Sequence, residues 1–394
     1  MKKIKFFSVL VLGLACNLLI GAVHAQSEEK DISVWLKPNM DKAFKPIVSI
    51  ETWATYSSQE KDEDHEYANR NDTQIRRFRA GAQGQPYWFL GYSFQLQLDR
   101  LGQDGYSSTK GSYGGIDVWN AYITAKLLKN SDLLNVHAGY FWAATSRQFN
   151  TSPWAVSGFD KTRACWYLRS FSTGKGNGIE SGIGLGGFKN WNGFGINYRI
   201  GVYEPKAFEN PDYASQLLTG RLMFSFGEPE QTKYNYMLSG NQWRNRKGVS
   251  VAVGGSNQNN GYLNESLYFN QTKTYGGDVA IDYVGLHIDG EYYKMSRTAD
   301  GYDDFKGTEG HLCVSYNLII GNKYLEPTIT YDYYEGEGPK ELFKQIGNDE
   351  TWDLGVNWYL NKDKLKMSAH YILQSGSAAS RVGDYAGLAL QFRL

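Results

Sequence analysis

Cysteine, long apolar runs and net charge are what this 394-residue sequence has least of. Of three cysteines, Cys16 falls in an apolar N-terminal stretch, so only Cys165 and Cys313 lie beyond it. Two cysteines allow one disulfide in an oxidising compartment but no disulfide framework. We read them as free thiols; a bridge stays open only if the segment holding Cys165 folds against Cys313. Past the N-terminus no stretch approaches the ~18 apolar residues of a membrane-crossing helix. Basic and acidic residues balance at 41 each, which argues against nucleic acid as a partner. No composition break or Pro/Ser-rich linker divides the chain into domains.

The N-terminus reads as a secretory signal. Lys2, Lys3 and Lys5 precede an apolar core from Phe6 to Ala22, and Val23-His24-Ala25 forms a small-residue cleavage site. Cleavage is expected after Ala25, with residues 26–43 as a polar periplasmic lead-in and 44–394 as one domain. The processed chain then carries 38 basic and 41 acidic residues, a net charge of −3. Acylation at Cys16 is the rival reading; Gly13 stands where such sites prefer an aliphatic residue, and the apolar run continues through Leu18-Leu19-Ile20.

What is abundant is aromatic and glycine: 29 Tyr, 19 Phe, 11 Trp and 44 Gly, at a mean hydropathy of −0.49. That combination suits strands with one apolar and one polar face. Leu90, Tyr92, Phe94, Leu96 and Leu98 alternate with Gly91, Ser93, Gln95, Gln97 and Asp99, over about the ten residues a tilted membrane strand needs. The same period recurs from Val48 to Tyr56, at Trp119–Ala125, Leu134–Tyr140, Phe194–Val202, Val249–Val253, Val279–Tyr283, Leu286–Tyr292, Leu312–Leu318, Ile329–Tyr333, Trp352–Leu360 and Leu365–Leu373. The final stretch, Leu388, Leu390, Phe392 and Leu394, is amphipathic to the last residue, so it is expected to pair with the first strand and close a barrel, removing both edges.

Connections alternate in length: 57–72 long, 84–86 short; 100–115 long, 127–132 short; 143–177 long, 190–192 short. Long extracellular loops and tight periplasmic turns produce that rhythm. The expected fold is therefore all-β, a transmembrane antiparallel β-barrel of about sixteen strands. Residues 228–247 break the rule by being long on the short side, as a periplasmic excursion or an unrecognised hairpin.

Motifs for other chemistry lack their context. Gly182, Gly184 and Gly187 form a G-x-G-x-x-G string, but a turn and a strand follow where a nucleotide site needs a helix. His137, His287, His311 and His370 fall on separate strands without metal spacing, and Asp300, Asp303 and Asp304 do not follow a calcium-loop pattern. No metal, cofactor or catalysis is expected, although a barrel enzyme could assemble a site from distant strands.

The strand Arg76-Arg77-Phe78-Arg79 ending at Gly84, the run Thr219-Gly220-Arg221-Leu222 and the hairpin start Leu354-Gly355-Val356-Asn357-Trp358-Tyr359-Leu360-Asn361 resemble the phosphate-selective porin O/P family, its Bacteroidetes members above all. The likeness covers nearly all of the mature chain. It implies a sixteen-stranded barrel, usually trimeric, in the bacterial outer membrane, passing small anions. Two departures stand out: the basic residues of the long third loop are scattered rather than a dense ladder, and the chain ends in Leu394 where such barrels more often end in an aromatic residue.

The candidate pore residues come from charge and alternation. The third long loop carries Arg147, Lys161, Arg163, Arg169 and Lys175 against Asp160, a net +4, whereas loop 57–72 is net −4. Alternation points Arg77, Arg79, Arg199 and Arg221 inward from early strands, and Asp278, Asp282, Asp289, Glu326 and Asp332 inward from later ones. The expectation is that the third loop folds inward, so that its basic residues face the acidic wall across a constriction. A modest preference for phosphate-like or carboxylate anions would follow. The expected partners are outer-membrane lipid, small hydrophilic solutes and further copies of the chain. The alternative is a barrel that docks or binds partners through its long loops.

Overall fold

The computed structural model describes residues 38–57, 70–101, 115–212, 214–376 and 383–394. The expected signal peptide, most of the acidic first loop (58–69) and most of the second loop (102–114) lie outside the described residues. A helical turn, α1 (Met40–Ala43), leads into β1 (Lys45–Ser57), β2 (Arg70–Tyr87), β3 (Leu90–Gln97), β4 (Asp117–Lys126) and β5 (Asn135–Trp142). The third long loop carries two helices, α2 (Arg147–Asn150) and α3 (Arg163–Thr173). Then come β6 (Ile179–Trp191), β7 (Phe194–Tyr203), β8 (Leu217–Gly227), β9 (Lys247–Asn264), β10 (Leu267–Tyr283) and β11 (Leu286–Thr298). The wall finishes with β12 (Phe305–Tyr316), β13 (Leu318–Ile320), β14 (Lys323–Glu337), β15 (Gly347–Asn361), β16 (Leu365–Gly376) and β17 (Tyr385–Arg393).

Each strand pairs antiparallel with its neighbours, and β12 and β13 both pair with β14. They are one wall strand interrupted at Asn317, whose N–H donates to Gly285 O. The described wall is thus a closed sixteen-stranded antiparallel barrel. The seam is β1 with β17, running from Ser49↔Arg393 to Tyr56↔Ala386, and the Leu394 N–H donates to Val48 O at 2.9 Å. Closure satisfies every strand edge from within, which a span through hydrocarbon requires.

The faces are inverted relative to a water-soluble protein. On β17, Leu388, Leu390 and Phe392 are exposed at 61%, 47% and 41%, while Gln391 is buried. On β15, Trp352, Leu354, Val356 and Trp358 face out and Asp353 and Asn357 face in. An apolar belt outside and a polar lining inside is the pattern lipid selects, since hydrocarbon solvates leucine and not aspartate.

The structure adds to the strand reading in two places. The alternation at 249–253 and 279–283 is the lower part of one tall hairpin, β9–β10, closed by Glu265-Ser266. Its upper part, with Ser256, Gln258, Thr272 and Thr274 inside, bears polar residues on both faces and shows no hydrophobic alternation. The second place is 228–246, which is an excursion into the lumen from the short-turn rim. It is held by the side-chain pair Asn197–Gln231 at 2.8 Å, Tyr234 Oη–His137 at 2.9 Å, Tyr236 Oη donating to Trp142 O at 2.5 Å, and Arg246–Asp282 at 2.5 Å. Gly186 of β6 makes room for it: a Cβ there would strike the Tyr234 ring. The glycine string beside it, Gly182, Gly184 and Gly187, runs through β6 into the turn Asn192-Gly193 with no helix following.

Candidate functional site

The third long loop leaves β5 at Trp142 and crosses the lumen. It enters over Gly254, where a Cβ would collide with the Thr145 carbonyl oxygen. Ser146 caps α2 by accepting the Phe149 N–H, and its own hydroxyl donates to Glu291 at 3.1 Å. The Gln148 N–H donates to the other oxygen of Glu291 at 2.9 Å. Farther along, Ser157 donates to Glu326 at 3.0 Å, and the Phe159 N–H donates to Asp353 at 2.6 Å. Phe159 stacks on Trp53 with centroids 4.4 Å apart. Thr162 caps α3 by accepting the Cys165 N–H at 3.2 Å.

One side of the loop lies directly on the acidic wall. Arg147 pairs with Glu230 at 2.6 Å and Asp278 at 3.3 Å, and Arg163 with Asp349 at 3.2 Å. Burial alone would raise the Glu230 carboxyl, but Arg147, with Arg246 and Arg221 behind it, brings it down to about 2. The Ala164 N–H donates to Asp332 and Tyr167 Oη to Asp349. Arg297, 1% exposed, sits against the rings of Phe171, Phe208 and Phe269 and donates to the Phe171 and Leu342 carbonyls. Around it Leu168, Phe171, Phe305 and Phe343 form a dry cluster.

The other side of the loop borders a cavity of about 480 Å³ against β2–β5. Seven basic residues line it: Arg76, Arg77, Arg79, Arg100, Lys161, Arg169 and Lys175. Three acids join them, Asp99, Asp117 and Asp160, with Trp119, Trp142, Trp166 and Tyr140 as aromatic walls. Burial, reinforced by Arg169, brings the Lys161 ammonium down to about 7. Arg169 donates to Phe149 O at 2.6 Å and lies over the Phe149 ring.

Of the fourteen residues marked from the sequence, Arg77, Arg79, Lys161, Arg169 and Lys175 meet at this cavity. The other nine do not. Arg147 and Arg163 are held on the wall side as above. Arg221 pairs with Asp278 at 2.6 Å, and Arg199 donates to Asn235 O at 3.0 Å. Asp282 is paired with Arg246 and His287, and Asp289 with His287 and His311. Glu326 accepts from Ser157, Asn241, Ser315, Asn357 and Tyr359, and Asp332 from the Ala164 N–H. The loop and the acidic wall, expected to face each other across an opening, are in contact, but only Arg147 and Arg163 of the loop's basic residues pair with acids there, and the other wall acids find partners elsewhere in the barrel. The remaining histidines among the described residues also have polar partners: His137 with Thr124 and Tyr234, His370 with Asp353. Cys165 and Cys313 are buried free thiols.

Sequence reasoning missed Arg76. Pairing of β1 with β2 jumps from Glu51↔Arg77 to Thr52↔Ile75, a bulge that leaves Arg76 unopposed and turns it inward beside Arg77. Three arginines within four residues were the available signal, because strict alternation would leave one of them in lipid.

The chain matches the model of the family described as phosphate-selective porin O and P over residues 48–394. No curated protein matches it in sequence. Among solved structures it is similar to an anion-selective porin from Comamonas acidovorans, with 12% identity, a TM-score of 0.58, and 90% of this chain and 100% of that one covered. It is also similar to the outer membrane channel DcaP of Acinetobacter baumannii (12% identity, TM-score 0.55, 91% and 99% covered) and to the trimer form of OmpT of Vibrio cholerae (11%, 0.53, 89% and 99%). At those identities the likeness is one of fold. Together with the family match over nearly the whole barrel, it makes the chain a porin of the bacterial outer membrane, and the chain belongs to the phosphate-selective porin O and P family.

Proposed function

We propose that this porin passes small hydrophilic solutes with a preference for anions, that its chemistry is passage rather than catalysis, and that it works as a homotrimer. The observation that carries the preference is the division of the lumen. The acids of the later strands are partnered by loop arginines, by Arg221, by Arg246 and by histidines, while the open cavity is lined by seven basic residues and three acidic ones; Glu51 and Glu180 behind the lining pair with Arg77 and Lys175 and still leave the bases in excess. Guanidinium groups offer planar paired donors, which fit phosphate and carboxylate oxygens better than chloride. At ~0.15 M salt the screening length is roughly 8 Å, so wall charges still act on an ion inside a passage of that width. The trimer follows by likeness to the trimer form of OmpT.

The test is the zero-current potential of the reconstituted protein in a potassium chloride gradient. An anion-preferring porin gives the sign set by chloride, while a barrel that only docks partners gives no conductance. A cation-signed potential would overturn the preference. The mass of the unheated protein in mild detergent reports the trimer.

A further inference from the structure

We propose that Asp160 is the residue that sets anion affinity in the passage, as a tethered carboxylate occupying the place a permeating oxyanion takes. The proposal deepens the anion-preferring reading and rests on it. Arg76 and Arg77 are consecutive, yet both face the lumen because of the bulge in β2, so two guanidinium groups stand side by side on a rigid strand pair. Both converge on one carboxylate. Arg76 Nη2 meets Asp160 Oδ2 at 2.8 Å, and Arg77 Nη2 meets Oδ1. The Lys161 N–H donates to the same Oδ1 at 2.7 Å, aiming the carboxylate at the arginines. This two-oxygen, two-guanidinium contact is the geometry a phosphate or carboxylate ion would adopt there.

The site is built to hold an anion independently of the loop. Arg77 is shared with Glu51 at 2.6 Å, and Glu51 in turn accepts from Trp53 Nε1 at 3.0 Å. Arg76 lies over the Trp53 ring, 4.9 Å from its centroid. With Asp160 withdrawn, two guanidinium groups would face the single carboxylate of Glu51. The Nε of Arg76, on a residue 5% exposed, has no hydrogen-bond partner among the described residues. Arg76, Arg77 and Asp160 all border the 480 Å³ cavity, so an incoming anion reaches the pair from there. Exchange of one anion for another leaves no buried charge uncompensated, which makes it feasible where simple rupture of the pair is not.

The experiment measures how inorganic phosphate blocks chloride current through the wild type, Asp160→Asn and Asp160→Glu, each with its zero-current potential. Asparagine keeps the shape and removes the competing charge, so half-block should occur at about tenfold lower phosphate, the factor a modest charge–charge contact supplies. Asp160→Glu, which keeps a carboxylate, should need more phosphate than Asp160→Asn. Half-block unchanged in Asp160→Asn, or shifted equally by both variants, overturns the proposal and makes the contact a purely structural tether. If Asp160→Asn fails to insert, Arg76→Gln decides: block weakens by about tenfold if the pair is the site, and an unchanged block overturns it. A cation-preferring wild type would sink the underlying reading. An anion-preferring wild type with no effect at Asp160 sinks only this inference.

Discussion

The two sides of the third loop contain the same kinds of residue and do opposite things with them. Toward β10–β15 its arginines, the Ala164 N–H and the Ser157 hydroxyl meet Asp278, Asp349, Asp332 and Glu326, and the space is filled and partly apolar. Toward β2–β5 its Asp160 pairs with Arg76 and Arg77, its Lys161 and Arg169 donate to carbonyls of the loop itself, and a cavity rich in basic groups remains. Where acids and bases match, the space is filled; where bases outnumber acids, a cavity remains whose field acts on a passing ion. Net charge of the loop, taken by itself, does not say which of these happens.

The filled side should break most dramatically. Asp278→Ala leaves Arg221 and Arg147 sharing one fewer carboxylate, with Arg221 1% exposed at its side chain, and should cost about 3–5 kcal/mol. The midpoint of heat-induced gel mobility change, compared with wild type, reads it. Loss of the loop's anchor should also raise open-channel noise.

Acid tests the same side more gently. Glu230 holds residues 228–246 to Arg147, and its folded value of about 2 lies below the ordinary 4.5. A depressed carboxyl contributes stability that is whole above the unfolded value and lost as pH falls toward the folded one. The contribution, of the order of 3 kcal/mol, should therefore hold at pH 5 and drain away between about 4.5 and 2. Trp243 in the same segment, packed on Tyr359, gives a fluorescence readout of its release. Fluorescence that is flat over that window would mean the segment is held by other contacts.

The open side responds to base instead. Lys161 is charged below about 7 and neutral above it, so anion preference should be stronger at pH 6 than at pH 8. Zero-current potentials at the two pH values check the sign, and Lys161→Met should flatten the dependence. The smallest expected effect is at the cavity mouth. Asp117→Asn removes an exposed acid, worth about 0.5 kcal/mol at ~8 Å in water, or roughly a twofold rise in local anion concentration. The gain should fade as salt rises. Persistence at 1 M salt would mean that Asp117 acts by geometry and not by charge.

Much of the wall was legible. Period-two runs such as Leu90–Leu98 and Leu388–Leu394 lie on strands with their apolar residues outward, and the C-terminal strand closes on β1. The upper half of β9–β10 was not legible, because strands rising beyond the membrane need no apolar face. Residues 228–246 escaped for a related reason. They lie inside a polar lumen, fastened by single side chains such as Tyr234 and Asn241, and so carry no period at all.

For the charges, alternation settles which side of the wall a residue occupies, since a strand has only two faces and lipid accepts one of them. Arg79, Arg221, Asp278 and Glu326 were inward on that basis, and they are buried inside the barrel. Arg76 needed a backbone bulge, which depends on how two strands register. Whether an inward charge is free or spent was beyond any local pattern, because Asp278 and Asp160 are partnered by residues tens of positions away. Covalent order dictates the faces through steric periodicity; only the path of the loop through the finished barrel decides which charges meet each other and which are left to meet an ion.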